Sequence, residues 1–372
     1  TGMVTPEVAE QFKSRGVPLI EPSAGRFAAW RQFQKTAGPT RVLLGDGSWV
    51  QSARSVGSVA IPAKNSRARK NNIIGISENT APLSLLNGKP LSRSVNGSSE
   101  MLFVLDAKNN LLRDHQIKGR PVLAMTVALE LMAQVAGTME SDRTVTAVRD
   151  LRVLSGISLD SGNRDIIVRC ERNSEDTSAA SHFKVSIVNP VRGNRALYQA
   201  VVTLSQKPVA PPRSPEFVAL DGSFPLDTRD AYDRWLFHGP TFQVLQGFNG
   251  LSEIGLDARV HYHSPGKVQP SNEHRGWVIN PIVLDAASQL GVLWSRAMHG
   301  RNALPNYVRA VHRYGPIDGE MPLDLKFRIS GPNDGDSYQA DAWFIRDGNV
   351  IALLEGLEGT GYAELNRMVE GQ

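Results

Sequence analysis

Two short segments, far apart in the chain, carry side chains able to move protons. Asp114-His115-Gln116-Ile117-Lys118-Gly119-Arg120-Pro121 runs straight into an apolar stretch, and Asn280-Pro281-Ile282-Val283-Leu284-Asp285-Ala286-Ala287-Ser288-Gln289 does the same about half the chain later. An imidazole near its unperturbed pKa is partly neutral at physiological pH, which suits a base. A carboxyl among Ile282, Val283, Leu284, Leu290 and Val292 is expected to sit in a dry site that raises its pKa, so that it keeps a proton to give. One group taking a proton from carbon while the other protonates a hydroxyl on the next carbon is the chemistry of water elimination. Each such group is worth about a hundred- to ten-thousandfold in rate. Two plainer readings stand beside this one: His115 as a cap on local carbonyls, and Asp285 as an N-cap of the second helix. Gln289 lies one helical turn beyond Asp285, within reach of its carboxyl.

Positioning these groups requires helices and a frame. The apolar stretch Val122 to Met139 is too long for a strand, keeps helical spacing at Leu123, Val127, Leu131 and Val135, and stops at Gly137. Pro281 to Met298 reads as a second long helix. Strand-like runs surround both: Glu100–Leu105, Thr144–Val153, Asp165–Arg172, His182–Val188 and Ala196–Leu204 around the first, and Leu304–Tyr314, Leu323–Ile329, Tyr338–Arg346 and Val350–Glu358 after the second. Strands, one central helix and more strands, twice over, predict a duplicated α+β unit. Pro208 to Pro215 breaks regular structure between the copies.

The chain has 372 residues, 41% hydrophobic and 21% charged, with a net charge of +4. That balance is ordinary for a soluble protein. The basic excess gathers at Lys64–Lys70 rather than over a face, which argues against nucleic acid as a partner. No apolar run has membrane-spanning length and no signal-peptide layout opens the chain, so a membrane partner is not expected. The lone Cys170 sits in a strand-like run and reads as a small apolar side chain; such sparing use fits a reducing cytoplasm. The chain opens at Thr1 without Met, as a piece of a longer protein does. His261 and His263 read as surface strand residues, because zinc would need a third ligand that nothing nearby supplies. Trp235, Trp277 and Trp294 read as core or interface aromatics. The expected plan is a first unit at 1–46, a linker at 47–81, a first half at 82–208, a short connection at 209–225 and a second half at 226–366.

At this point the motifs resemble a known family. Leu112–Leu123 resembles the histidine motif of dehydratase domains in type I polyketide synthases. Leu284-Asp285-Ala286-Ala287-Ser288-Gln289 is similar to their aspartate motif, Phe237-His238-Gly239-Pro240-Thr241-Phe242-Gln243 to their Gly-Pro-x-Phe-Gln signature, and Leu304-Pro305 to their Leu-Pro strand. The flavour is nearest to iterative synthases of polyenes and polyunsaturated fatty acids, the enediyne type included. Residues 3–20 are similar to the end of a ketoreductase domain. No Gly-rich dinucleotide fingerprint occurs, so a nicotinamide site is not expected.

The resemblance implies a double hot-dog fold and loss of water from a 3-hydroxyacyl thioester on an acyl carrier protein, giving a 2-enoyl thioester. It makes His115 the base and Asp285 the acid, with Gly119, Pro121, Gln289, His238, Gly239, Pro240, Phe242 and Gln243 against the substrate. Phe242 serves equally well as a packing brace for the Asp285 helix. An amide among Val122 to Ala124 would stabilise the thioester oxygen, with Gly119 letting the backbone approach. No metal and no cofactor is implied beyond the carrier's phosphopantetheine. Partners would be the carrier protein, which is drawn to the basic linker if acidic, the adjacent ketoreductase and other synthase domains, and a second copy in a homodimer. The sequence departs from the pattern at Ala124, where the family has Pro, and at His238, where it often has Tyr. Two competing readings share the fold: a product-template cyclase and a degenerate dehydratase serving as a structural dimer module.

Overall fold

The computed structural model describes residues 89–93, 98–159, 162–173, 180–190, 195–262, 277–317, 321–333, 335–362 and 365–366. The expected unit at 1–46 and linker at 47–81, with its basic run, lie outside them. The first half holds β1 (Lys89–Arg93), β2 (Ser98–Asp106), a one-turn helix α1 (Asn110–Arg113), the two-residue strands β3 (Gln116–Ile117) and β4 (Arg120–Pro121), the long helix α2 (Met125–Gly137), then β5 (Thr144–Val153), β6 (Asn163–Arg172), β7 (Ala180–Val188) and β8 (Ala196–Ser205). The second half holds α3 (Thr228–Arg234), a 3-10 turn at Pro240–Phe242, β9 (Leu245–Ser252), β10 (Gly255–Val260), the long helix α4 (Pro281–His299), β11 (Asn302–Arg313), β12 (Leu323–Asn333), β13 (Ser337–Arg346) and β14 (Asn349–Tyr362).

Twelve strands form one antiparallel sheet in the order β1-β2-β6-β7-β8-β5-β11-β14-β13-β12-β10-β9. The halves join where β5 pairs with β11, with Val148 opposite Val311. Each half curls round its own long helix, and the two helices touch. This is an α+β double hot-dog. Strand alternation supplies the inner faces: Ile166, Val168 and Cys170 on β6, and Tyr338, Ala340, Ala342 and Phe344 on β13, are buried at a period of two. Burial pushes the Cys170 thiol up to about 12, as befits an inert core side chain.

On α2 every residue from Met125 to Ala136 is buried. A helix that is apolar nearly all round must be wrapped. Each fully buried Leu or Val contributes about 1.5–3 kcal/mol, enough to carry the buried Thr126, Glu130 and Gln134 provided those find partners.

The helix starts three residues later than its spacing predicts. The Val122 amide donates to the His115 carbonyl and that of Leu123 to Ile157, so the chain stays extended up to the N-cap Ala124. Ala124 holds φ −58° and ψ 144°, a conformation Pro also adopts, so alanine keeps the entry geometry here. The second helix begins as predicted at Pro281, but Asp285 is not its cap. Asn280 is: its side chain accepts from the Val283 amide at 3.3 Å. Neither His261 nor Tyr262 is a surface strand residue. Both follow β10 in a half-buried loop, with Tyr262 against the core, and His263 lies outside the described residues. Trp294 is fully buried, while Trp235 and Trp277 pack at the core margin.

Candidate active site

The wrapped helices bring the two motifs together. Asp285 sits on the second turn of α4, 2% exposed, facing α2 of the other half. Its Oδ1 accepts from the Thr126 hydroxyl at 3.1 Å, and its Oδ2 accepts from the Gln289 side-chain amide at 3.0 Å. The His238 Nε2 lies 3.1 Å from the same Oδ2. The nearest ligating atoms of His115, His238 and Asp285 all fall within 4.8 Å of one another, and all three residues are buried.

His115 leaves α1 on an extended segment that folds back through β3 and β4. Its Nδ1 lies 3.0 Å from the Val122 carbonyl. A carbonyl only accepts, so Nδ1 carries the hydrogen and Nε2 keeps its lone pair. Burial and the neighbouring His238 push the ring down to about 4, which leaves it neutral at physiological pH, as a base must be. Its ring meets Phe237, His238 and Phe242 edge-on at centroid distances of 5.1, 5.2 and 5.5 Å.

Asp285 departs from expectation. Burial favours the protonated form, but the hydrogen bond and charge of His238, the charge of His115 and the bond from Gln289 hold the carboxyl below its usual range. The setting is as dry as the run from Ile282 to Val292 implies. What the sequence does not reveal is that three donors converge on the carboxyl; donors stabilise the ion and lower the pKa.

The Phe237–Gln243 segment belongs to the second half yet lies on the first. His238 bridges to His115, and the Gly239 amide donates to the Asp114 carbonyl at 2.8 Å. The Asp114 carboxylate accepts from the Thr241 amide at 3.0 Å and its hydroxyl at 2.5 Å, and from Arg113 at 2.9 Å. Burial opposes its ionisation, but Arg113 and Thr241 hold it below the usual range. A Cβ on Gly239 would stand 2.9 Å from that of Asp114, so only glycine lets the two segments approach this closely.

The remaining predicted residues divide. Gln289 bridges the Asp285 carboxyl to the Phe242 carbonyl at 3.0 Å each. Phe242 is fully buried, so it braces the Asp285 helix through its carbonyl and touches His115 through its ring. Gln243 is exposed and donates to the His238 carbonyl at 3.0 Å; Pro240 is exposed at the start of the 3-10 turn. Gly119 sits at the exposed tip of the β3–β4 turn with φ +71° and no atom within 4 Å of a Cβ. Its backbone conformation, rather than close approach to a buried site, requires glycine. Pro121 is half-buried in β4, where its carbonyl accepts from Leu159. The Val122 and Leu123 amides are already engaged, so they are withdrawn as oxyanion donors.

Several contributors escape a reading of the sequence. Thr126 binds Asp285, and Glu130 accepts from the Val278 and Ile279 amides at 2.9 and 2.7 Å, fastening the segment that enters α4. A signal for them exists: Thr126, Glu130 and Gln134 recur every four residues inside an apolar run, a polar stripe on one helix face. Tyr232 donates to the Gln289 side chain at 2.8 Å and accepts from the Leu245 amide at 3.1 Å; nothing in the sequence links it to the site. A surface cavity of about 520 Å³, whose lining includes Leu220, Phe224, Leu226, Thr228 and Gln246–Gly250, shares no residue with the cluster.

Comparison with known proteins agrees with this geometry. Residues 215–368, which include His238 and Asp285, match the family model described as polyketide synthase dehydratase N-terminal domain. Over those residues the chain is similar to polyketide synthase dehydratase sequences. Among solved dehydratases, the domain from the CurF module of curacin polyketide synthase superposes with a TM-score of 0.60 at 16% identity, covering 76% of this chain and 100% of that one. A trans-AT polyketide synthase dehydratase domain from Brevibacillus brevis gives 0.60 at 14% identity, covering 76% and 100%. The dehydratase domain of PpsC from Mycobacterium tuberculosis, in complex with C12:1-CoA, gives 0.57 at 19%, covering 76% and 100%. At these identities the likeness to solved dehydratases establishes the fold. A curated relative, a polyunsaturated fatty acid synthase polypeptide of Thraustochytrium sp., is 24% identical over 342 residues, which is 88% of this chain and 10% of that protein. The chain therefore spans about a tenth of that relative's length.

Proposed function

We propose that this dehydratase domain removes water from a 3-hydroxyacyl thioester presented by an acyl carrier protein, giving a 2-enoyl thioester. The observation that carries the reading is the meeting of His115 from one half and Asp285 from the other in a single buried cluster. A neutral imidazole with a fixed Nδ1 hydrogen and a free Nε2 lone pair suits abstraction of the α-proton. The paired Asp285 and His238 form the acid side, which protonates the leaving hydroxyl. Thr126 and Gln289 orient the carboxylate. The CoA thioester bound by the PpsC domain supports an acyl thioester as the substrate class. The relative from Thraustochytrium sp., named as part of a polyunsaturated fatty acid synthase, supports a place in a synthase of that kind.

The test is turnover of a 3-hydroxyacyl pantetheine thioester by the 372-residue chain, followed by mass spectrometry. Wild type should form the enoyl product, and His115→Ala and Asp285→Asn should each lose about a hundred- to ten-thousandfold in kcat. Undiminished turnover by both variants would defeat the assignment. Wild-type inactivity with intact folding would favour a purely structural module.

A further inference from the structure

We propose that Glu130 is a positioning residue for the acid step: from the first half it holds the left-handed turn at Asn280 that launches α4, and so sets where the Asp285 carboxyl stands. This rests on the dehydratase reading above and adds to it a residue that acts only through another.

Three observations carry it. First, Glu130 is fully buried and uses both carboxyl oxygens. Its Oε1 accepts from the Val278 amide at 2.9 Å and the Gln134 side chain at 2.6 Å, and its Oε2 accepts from the Ile279 amide at 2.7 Å. Two consecutive amides held by one carboxyl fix the course of the chain there, because each N–H lies in the plane of its peptide. Packing alone would be served by an apolar side chain, as at Leu129 and Leu131 on either side. Second, the next residue adopts a conformation that side chains seldom take. Asn280 has φ 47° and ψ 86°, is 1% exposed, and caps α4 by accepting from the Val283 amide at 3.3 Å. A left-handed turn at a non-glycine residue persists where its surroundings dictate it. The residues before this turn carry the bonds to Glu130. After it, the Leu284 amide donates to the Asn280 carbonyl at 3.1 Å, and Asp285 follows. Third, the same face of α2 touches the Asp285 carboxyl. Thr126 lies one helical turn before Glu130, and its hydroxyl donates to Oδ1 at 3.1 Å.

One helix of the first half thus grips α4 at two points, the carboxyl through Thr126 and the helix entry through Glu130. If the second grip slackens, the Asn280 turn relaxes and the first turn of α4 shifts, carrying Asp285 away from the substrate hydroxyl. Proton transfer is sensitive to such shifts: a displacement of about 1 Å costs on the order of a hundredfold in rate. Glu130 therefore acts on the elimination through Asp285, and its effect exists only while Asp285 is there to be placed.

The experiment is a double-mutant cycle on the full chain. Turnover of 3-hydroxydecanoyl pantetheine thioester is followed by mass spectrometry, and folding is checked by circular dichroism. Glu130→Gln keeps the volume but turns one acceptor oxygen into an NH₂ group facing a donor. It should lose on the order of tenfold in kcat, part of what a full ångström of displacement costs, with KM little changed. In the Asp285→Asn background the same substitution should cost at most about twofold, the scatter of such cycles. Asn280→Ala disturbs the same turn from within and should show the same pattern in both backgrounds; it decides the matter if Glu130→Gln does not fold. Loss by the same factor with and without Asp285 would mark a scaffold role independent of the acid and overturn the proposal. So would a folded Glu130→Gln whose kcat stays within about twofold of wild type. A folded wild type that forms no enoyl product would instead sink the dehydratase reading itself, a result distinct from either.

Discussion

The carboxylate of Asp114, the residue before His115, holds both the amide and the hydroxyl of Thr241, three residues after His238. One side chain thereby sets the spacing between the two imidazoles, although neither imidazole touches it through a hydrogen bond. Asp114→Ala should cost about 1–3 kcal/mol of stability, the penalty for leaving buried donors unpaired, and should also lower kcat. Gly239→Ala forces a Cβ to 2.9 Å from that of Asp114 and should cost about 1–3 kcal/mol by overpacking. Urea unfolding of both variants, with turnover on the folded fraction, checks this.

Glu130 performs the equivalent task for the acid side. Its carboxyl accepts from two amides ahead of α4 and from Gln134. Glu130→Ala leaves two buried amides unsatisfied and should cost about 2–5 kcal/mol. Glu130→Gln keeps one acceptor and should cost less. Burial holds the Glu130 pKa above its usual value. Its contribution is therefore fully present below the unfolded pKa near 4.5 and declines as pH rises through the raised folded value. The stability gap between wild type and Glu130→Gln, measured by calorimetry, should accordingly narrow as pH rises; a gap that widens would contradict the assignment.

His115 titrates in the opposite sense. Its folded pKa of about 4 lies below the unfolded 6.5, so the unfolded chain binds the extra proton between these values. The contribution of His115 is complete above pH 6.5 and is lost as pH falls towards 4. The melting temperature of wild type should therefore fall relative to His115→Gln across that window. Parallel curves would show that the ring is not buried neutral.

Tyr232 supports Asp285 at one remove. Its hydroxyl lies between Gln289 and the Leu245 amide. Tyr232→Phe should cost about 1–3 kcal/mol and reduce kcat more than it raises KM, since it loosens the residue that orients the carboxylate. Steady-state kinetics on the folded variant separates the two effects.

Two imidazoles and a carboxylate within 4.8 Å are also a donor set that a divalent transition metal could use. Proton transfer by side chains alone predicts that dialysis against a chelator leaves turnover unchanged and that added Zn²⁺ inhibits. Loss of activity on chelation, restored by metal, would replace the proposed mechanism.

Much of this molecule is legible along the chain. Alternation in β6 and β13 and the apolar runs of α2 and α4 follow from local periodicity, because a side chain's face is fixed by its position in a strand or helix. The i to i+4 link from Asp285 to Gln289 follows for the same reason. Tertiary structure decided the rest. Thr126 meets Asp285 across 159 residues and Asp114 meets Thr241 across 127. No local rule encodes such contacts, since they exist only once two wrapped helices have been pressed together. The direction in which the Asp285 pKa moves was decided in the same way. Its apolar neighbours in sequence argue for a raised pKa, and it is the donors arriving from Thr126, His238 and Gln289 that reverse the sign.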